Sequence, residues 1–393
     1  MPRYDELDFI DDLLLEEEII VRDSVRSFVN SMAMPKMKES FARSGFPVEL
    51  VREMASEGIL GGNLELDGLV EDFFKISEVS YGLVMQELER ADSGLRSFAS
   101  VQGALVMYPI LQYGSLEQKQ KWLPDLYSGR AIGCFGLTEE QGGSDPMTML
   151  SNVQQRDGGY ILRGKKAWIT NGEIADVAVV WARDEKNKIK GLLVPKDVVG
   201  FSSSPMVAGD YKNSMRASVT SYLIFDDCFL TEDNVLPLAD GAKAYLNCLS
   251  KARYGIAWGV IGAAYSCLRE VVEYCGERVL FGAPLSQKQL VQQELAIMKK
   301  DIMMAQAAML SFGRLADAGK LTHTDISLCK MNNVTSCLNI ARRADELLGA
   351  NRISWEYDTP RHLANLRSVE TYEGTRFIHT LIQGSDITGY KAY

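Results

Sequence analysis

The chain has 393 residues, of which 46% are hydrophobic and 24% charged, a composition typical of a folded protein with two or three packed regions. Its formal net charge is −10, and this acidity argues against a nucleic-acid partner, which normally selects a basic surface. No apolar run approaches the roughly 20 residues that cross a bilayer, and the first six residues do not resemble a signal peptide. We therefore expect an intracellular protein without a membrane span, cytoplasmic, or in the mitochondrial matrix if this is the mature chain of a eukaryotic protein.

Residues 1–130 are predicted to form an N-terminal helical domain. Segments 15–28 and 79–95 carry apolar residues at helical spacing with charged residues between them. Gly114 is predicted to end a helix, since a glycine can take the left-handed conformation. Ser115 and Gln118 then form a capping box for a further helix over 119–126.

Residues 131–238 are predicted to form a middle β-domain. Asp157 followed by two glycines predicts a turn. Short apolar runs that suit strands lie at 160–162, 167–170, 177–181, 191–194 and 221–225. Short strands with turn signals and no helical period favour a compact antiparallel sheet.

Residues 239–393 are predicted to form a C-terminal four-helix bundle. The helical period returns over 254–278, 289–315, 324–348 and 370–387. The whole chain is thus predicted to be α+β and mainly helical. Apolar faces of such long helices that are not covered within one chain favour an oligomer.

Several common cofactor and metal motifs are absent from the sequence. It contains no G-x-G-x-x-G, no P-loop and no H-E-x-x-H, which disfavours a Rossmann nicotinamide enzyme, a nucleoside triphosphatase and a zinc protease. The seven cysteines are scattered without C-x-x-C spacing, and only three histidines occur. We expect no metal site, and cysteines that serve as small buried side chains.

Four segments in chain order carry a resemblance to one enzyme family. They are FGLTE at 135–139 with GSDP at 143–146, WITN at 168–171, RVLFG at 278–282 with Gln289, and YEGT at 372–375. Each segment alone is a weak signal, but together they resemble the acyl-CoA dehydrogenases over essentially the whole chain. The resemblance implies an FAD-dependent enzyme acting on an acyl-CoA, and a fold of N-terminal helices, middle β-domain and C-terminal bundle.

The resemblance also implies which residues hold the cofactor. The residues implied to contact FAD are Phe135, Leu137, Thr138, Trp168, Ile169, Thr170, Arg278, Phe281, Gln289, Leu348, Gly349 and Thr375. Arg278, Phe281 and Gln289 are implied to complete the site of a neighbouring subunit in a homotetramer. Thr138 and Thr170 can donate hydrogen bonds to the flavin ring and tune its electronics. Ser144 is implied to belong to the substrate site.

Glu373 is implied to be the base that takes the α-proton of the acyl-CoA. Such a step needs a positioned carboxylate whose pKa burial raises towards the working pH. Gly374 lets the thioester approach the backbone, and its amide can donate to the thioester oxygen. Some family members place the base just before the arginine equivalent to Arg253, but here that position is Ala252, which cannot accept a proton. Arg253 is expected to hold CoA or the pocket wall, or to form a structural ion pair.

Within the family, the sequence is most similar to the glutaryl-CoA dehydrogenases. The similarity lies in RYGIAWG at 253–259, ELER at 87–90 and DSGLRS at 92–97. It implies that Arg96 and Ser100 bind the distal carboxylate of the substrate, and that Glu89 and Tyr372 accompany decarboxylation. An arginine suits this task because its fork donates two hydrogen bonds and keeps its charge. From the residues alone, an exposed Arg96 that pairs with Asp92 at i−4 is the alternative.

The implied reaction is α,β-oxidation of glutaryl-CoA and loss of CO2 to give crotonyl-CoA, as in lysine and tryptophan degradation, with electrons passed to an electron-transfer flavoprotein. Three alternatives stay open: a dehydrogenase of another short acyl-CoA, a flavin oxidase or monooxygenase on the same fold, and a non-catalytic scaffold. Two stretches depart from the family pattern. LGANR at 348–352 has alanine and arginine where glycines are expected, and 64–75 is longer and more acidic and could reshape the substrate entrance.

Overall fold

The computed structural model describes residues 8–71, 73–207 and 211–392. The first six residues, on which the signal-peptide expectation rests, lie outside these ranges, as does Asp72 within segment 64–75. The described chain runs from helices through a sheet to a helical bundle, which confirms the predicted mainly helical α+β architecture.

The N-terminal part is built mainly from helices, with one long connection at 57–77 between the third and fourth. The helices are α1 (Glu16–Phe28), α2 (Met34–Arg43), α3 (Leu50–Ser56), α4 (Glu78–Ala91), α5 (Ser93–Ser100), α6 (Tyr108–Tyr113) and α7 (Leu116–Tyr127). A π-helical segment over Val29–Ala33 joins α1 to α2, and another over Val101–Met107 joins α5 to α6. In segment 64–75, Leu64 and Leu66 are buried in the core beneath α6 and α7, so this segment packs on the domain.

The single helix predicted over 79–95 is wrong, because the chain breaks at Asp92. This residue is extended, with φ −166° and ψ 142°, and its Oδ1 accepts a 2.6 Å hydrogen bond from the amide of Gly94. Asn365 donates to its Oδ2 at 2.9 Å, and Arg361 forms a buried ion pair with it. The break starts a new helix, α5, in a new direction.

The helix stop at Gly114 and the capping box before α7 are both confirmed, although Gly114 does not use the left-handed conformation. The Ser115 amide donates to Gln118 Oε1 at 2.9 Å, and the Gln118 amide donates to Ser115 Oγ at 3.3 Å. Gly114 has a φ of −79°, which any residue can adopt. A Cβ at this position would lie 2.5 Å from the Ile110 carbonyl oxygen, so close backbone approach is what requires the glycine.

The middle part is a seven-stranded sheet. Its strands are β1 (Gly133–Gly136), β2 (Asn152–Arg156), β3 (Gly159–Thr170), β4 (Val177–Arg183), β5 (Ile189–Pro195), β6 (Phe201–Pro205) and β7 (Thr220–Thr231). The order is β1-β4-β2-β3-β7-β6, and β5 pairs with β4. The antiparallel prediction holds for β2–β3, β3–β7, β4–β5 and β6–β7. It is wrong for β4, which pairs parallel to β1 and also, through one residue pair, parallel to β2.

The C-terminal part is a helical bundle. Its elements are α8 (Gly241–Glu277), the hairpin β8 (Val279–Leu280) and β9 (Ala283–Pro284), α9 (Gln289–Asp317), α10 (His323–Leu347), α11 (Asp358–Thr371) and α12 (Arg376–Thr388). The first three predicted helices are confirmed; α9 and α10 differ from the prediction by one or two residues at their ends, whereas α8 begins at Gly241, 13 residues before the predicted start. The helix predicted over 370–387 is wrong, because residues 372–375 form a turn between α11 and α12.

Helices α4 and α8 cross closely because glycines face the partner helix. A Cβ at Gly82 would overlap the Trp258 ring, and a Cβ at Gly262 would overlap the carbonyl oxygen of Gln86. Close contact of the two helices brings the end of α4 and the beginning of α5 against the middle of α8. This contact positions the site described below.

Across the described ranges, no helix is both long and apolar enough to span a bilayer. No cluster of three or more His, Cys, Asp or Glu side chains there could hold a metal ion. The seven cysteines are buried and free, as predicted.

Candidate active site

Glu373 lies on the turn between α11 and α12, and its backbone is left-handed. Its φ is 52°, and Gly374 follows with a φ of 100°. A Cβ at Gly374 would lie 3.0 Å from His379 Nε2 and 3.3 Å from Arg253 Nη2, so both handedness and packing require glycine. Thr375 then caps α12 by accepting a hydrogen bond from the amide of Ile378. The turn therefore separates α11 from α12 and places Glu373 between them.

Glu373 is half-buried as a whole, and one oxygen of its carboxylate is shielded from water. Its Oε2 is buried and accepts no hydrogen bond from any described residue. Burial raises the pKa of Glu373, and the positive charges of Lys330, Arg96 and Arg253 oppose this rise. A carboxylate with a raised pKa and a free oxygen is suited to take up a proton.

Two buried cations hold the backbone of this turn. Lys330 on α10 donates to the carbonyl oxygens of Tyr372 and Gly374, the latter at 2.6 Å. Arg253 on α8 donates through Nε to the carbonyl oxygen of Glu373 at 2.7 Å. The predicted site residue Arg253 thus contacts the turn that carries Glu373.

Lys330 was missed by the sequence analysis, although a signal was present. Counting along α10, Ser327, Lys330, Val334 and Cys337 recur at helical spacing and are all buried. A lysine on a buried helix face is rare unless it has partners. The position of Lys330 on this helix face was therefore the signal in the sequence.

Arg96 lies on α5 and is only 1% exposed. Its Nε donates to Glu89 Oε2 at 2.6 Å, and its Nη2 donates to the hydroxyl of Tyr372. The guanidinium carbon also stands 5.6 Å from the centre of the Tyr372 ring. The alternative that Arg96 is exposed and pairs with Asp92 is therefore wrong. Three predicted residues, Arg96, Glu89 and Tyr372, meet beside Glu373.

Ser100 lies one turn after Arg96 on the same helix and is equally buried, at 1% exposure. Its Oγ makes no hydrogen bond of good geometry with any residue in the described ranges, although the hydroxyl of Tyr81 lies close enough to interact with it. A buried hydroxyl without a partner costs free energy unless a ligand or water supplies one. Arg96 and Ser100 thus provide donors that a carboxylate could accept.

The residues expected to face the flavin ring gather at the ends of β1 and β3. The amide of Ala167 donates to the Thr138 carbonyl oxygen at 2.9 Å, which sets Thr138 beside Trp168. Phe135, Leu137 and Ile169 are buried beneath, whereas Thr138 and Thr170 are half-buried.

A buried ion pair fixes this corner of the β-domain. Lys166 Nζ lies 2.7 Å from Glu139 Oε1 and donates to the Leu137 carbonyl oxygen at 3.1 Å. Glu139 also accepts the amides of Leu150 and Ser151, at 2.6 and 3.0 Å. Burial lowers the pKa of Lys166 to about 8. Burial alone would raise the pKa of Glu139, but the positive charge of Lys166 and the hydrogen bonds outweigh it and lower that pKa to about 2.

The corner fits a flat heteroaromatic cofactor. The Trp168 indole is 59% exposed although its strand neighbours are buried, and its φ of 62° is unusual for a bulky side chain. An open aromatic face flanked by the hydroxyls of Thr138 and Thr170 offers the stacking and hydrogen bonds that a flavin ring needs.

The remaining predicted residues lie elsewhere on the surface or in the core. Ser144 is exposed in the loop after β1. Arg278, Phe281 and Gln289 lie on or just after the exposed β8–β9 hairpin, and Phe281 is 94% exposed.

Two further predicted cofactor residues lie at the end of α10. Leu348 is buried in the core, so only its backbone is left for a cofactor contact. Gly349 is exposed and left-handed, with a φ of 59°. In the stretch that departs from the family pattern, Arg352 lies 3.7 Å from Asp345.

The chain matches the three domain models of the acyl-CoA dehydrogenases: the N-terminal domain at 15–130, the middle domain at 134–228 and the C-terminal domain at 239–387. Among solved structures, a glutaryl-CoA dehydrogenase from Mycobacterium smegmatis in complex with FADH2 is 43% identical, with a TM-score of 0.94, over 99% of this chain and 98% of that one. A glutaryl-CoA dehydrogenase in complex with glutaryl-CoA is 28% identical, with a TM-score of 0.90, over 96% of this chain and 97% of that one. Human mitochondrial short-chain specific acyl-CoA dehydrogenase is 31% identical over 387 residues, 96% of this chain and 92% of the relative.

Proposed function

Because the chain belongs to the acyl-CoA dehydrogenase family, whose cofactor is FAD, we propose that it oxidises glutaryl-CoA and releases its distal carboxylate as CO2, giving crotonyl-CoA. The observation that carries this proposal is the pair Arg96 and Ser100, two buried donors one helical turn apart beside the base. The similarity to glutaryl-CoA dehydrogenases supports the same substrate.

The buried donors favour a substrate with a terminal charge. An acyl chain that ends in a methyl group would leave the Ser100 hydroxyl with only its poorly aligned neighbour Tyr81 and would press apolar carbon against the Arg96 guanidinium. Both outcomes cost free energy in a dry pocket. A distal carboxylate accepts hydrogen bonds from both groups. Glu89 and Tyr372 hold Arg96 in place for this contact.

The reaction begins with proton transfer to Glu373. Its raised pKa and its free Oε2 suit it to take the α-proton, and the amide of Gly374 is available to donate to the thioester oxygen as charge develops there. FAD, when bound, supplies the acceptor for the hydride that leaves the β-carbon. The γ-carboxylate then leaves as CO2, its bonding electrons pass into the conjugated thioester, and a proton returned to the γ-carbon completes crotonyl-CoA.

The cofactor and partner assignments belong to the same proposal. Thr138, Trp168 and Thr170 would contact the flavin ring, and Arg278, Phe281 and Gln289 would complete the cofactor site of a neighbour in a homotetramer. An electron-transfer flavoprotein would accept the electrons.

The test is turnover of glutaryl-CoA by the purified flavoprotein, with an electron acceptor and with crotonyl-CoA and CO2 both quantified. We expect equal amounts of the two products and a higher kcat/KM than for butyryl-CoA. Glu373→Gln should keep its flavin absorbance and its affinity for the substrate, yet lose turnover by about three orders of magnitude or more, since an amide cannot take the proton. Substantial activity in this variant would refute the role of Glu373. A preference for butyryl-CoA would indicate a dehydrogenase of another short acyl-CoA.

A further inference from the structure

The three consecutive carbonyl groups around Glu373 are all held by cationic side chains. Lys330 accounts for the carbonyls of Tyr372 and Gly374, and Arg253 accounts for that of Glu373. The two cations come from different helices, α10 and α8, and both are buried. The turn is thus fixed from two sides.

This turn needs such support because its backbone is unfavourable. A left-handed residue other than glycine costs about 1–2 kcal/mol, and Glu373 is such a residue. The turn also follows the C-terminal end of α11, where carbonyl groups lack helical partners and carry partial negative charge. Cations are favoured at that end, and a lysine can satisfy two carbonyls at once.

We propose that Lys330 is a positioning residue for the reaction, which holds the 372–374 turn so that the Glu373 carboxylate faces the acyl group. The inference rests on the proposed role of Glu373 as the base. Lys330 contacts the peptide groups on both sides of Glu373, so its loss frees the turn on both sides of the base. The ion pair of Arg96 with Glu89 does not involve Lys330.

Lys330 also contributes charge to the site. The charged and titratable groups that act on it or respond to it are Glu373, Glu370, Arg253, Arg96 and His379. Burial lowers the pKa of Lys330, while the negative charge of Glu373 opposes this. The neutral amine keeps two N–H donors, so the hydrogen bonds to the two carbonyls survive when the charge is lost. Hydrogen bonding and charge are therefore separable functions of one side chain.

Two variants separate these functions. Lys330→Met removes both the donors and the charge at similar length, whereas Lys330→Gln removes the charge but keeps an amide donor. Lys38→Met is the matched control, because Lys38 also donates to a backbone carbonyl, that of Glu356 at 2.6 Å, but on the exposed surface. Each variant is assayed with glutaryl-CoA and butyryl-CoA, for kcat and KM from acidic to alkaline pH and for exchange of α-deuterium into water.

We expect Lys330→Met to lower kcat roughly 10- to 100-fold for both substrates, since misplacement of a catalytic group by about 1 Å has that effect. KM and flavin content should change little. The decrease in kcat should be smaller for Lys330→Gln than for Lys330→Met. Both variants should shift the acidic limb of the kcat profile to higher pH, because removal of a cation raises the pKa of Glu373 further. Lys38→Met should match the wild type.

A purely structural role would lower the melting temperature of Lys330→Met while leaving kcat per bound flavin, deuterium exchange and the pH profile unchanged. That result overturns the inference. So does a loss confined to glutaryl-CoA, which would assign Lys330 to the distal carboxylate instead. If Glu373→Gln proves active, the proposed base is wrong, and this outcome is distinct from unaltered kinetics in Lys330→Met with an inactive Glu373→Gln.

Discussion

Replacement of Arg96 by glutamine tests the substrate assignment most directly. Arg96 is 1% exposed and its partner Glu89 is fully buried, so water cannot take over the lost interactions. In Arg96→Gln the distal carboxylate of glutaryl-CoA would enter the pocket without a cation. Butyryl-CoA carries no charge at that end, so its turnover should fall little or should improve.

The expected size follows from the burial of this site. Loss of one partner of a desolvated charge pair costs about 2–5 kcal/mol, much of it from the charge left behind. At about 1.36 kcal/mol per factor of ten, kcat/KM for glutaryl-CoA should fall by roughly 30- to 4,000-fold. If the carboxylate instead formed an exposed ion pair, its loss would cost about 0–1 kcal/mol, and kcat/KM would fall less than roughly sixfold.

The assay is the ratio of kcat/KM for glutaryl-CoA to that for butyryl-CoA, in which any loss of active protein cancels. Arg96→Gln leaves Glu89 buried without its cation, so the double variant Glu89→Gln/Arg96→Gln is the control for folding. The double variant should be at least as stable as the single one and should show the same loss of preference for glutaryl-CoA. Equal slowing of both substrates in both variants would refute the role of Arg96 as carboxylate anchor, while the family assignment would stand.

Two further predictions concern assembly and pH. Arg278→Glu, on the exposed β8–β9 hairpin, should lower both flavin content and the tetramer fraction in sedimentation, and a monomer that keeps its full flavin would contradict the shared site. Burial lowers the pKa of His362 from 6.5 to about 4, so the unfolded chain binds a proton that the folded chain excludes, and unfolding free energy should fall by up to about 3 kcal/mol as pH drops from 6.5 to 4. Thermal melts of wild type and His362→Leu should differ in slope across this range, and parallel slopes would rule out His362 as a cause.

Local sequence patterns predicted the elements whose cause is local. The capping box of Ser115 and Gln118 is one example, since both partners lie within one turn. Long helices such as α9 and α10 follow from an apolar period that no other structure satisfies. The grouping of Thr138 with Trp168 was predictable only through the resemblance, because their relative positions depend on pairing between distant strands.

The two helix predictions that were wrong failed because of contacts with distant parts of the chain. The sequence around Glu373 is compatible with a helix, and the break is held by Lys330 and Arg253, which are 42 and 120 residues distant. Asp92 likewise has Arg361 and Asn365 as partners, 269 and 273 residues away. A window of helical length contains none of these partners. Periodicity therefore predicted continuous helices where tertiary contacts impose turns, and both breaks carry the candidate site.

The RYGIAWG segment on α8 contains both a glycine that close packing requires and an arginine that contacts the candidate site. A Cβ at Gly259 would overlap Glu89 Oε2 and would lie 3.2 Å from Arg96 Cδ, so the ion pair occupies the space where a side chain would otherwise be. Arg253, at the start of the same segment, reaches the turn that carries Glu373. One helix thus makes room for the proposed carboxylate anchor and fixes the proposed base, and its glycine at 259 acts by being small. Because the buried pair and the Glu373 turn both contact α8, any change that moves this helix away from α4 should alter substrate preference and proton transfer together.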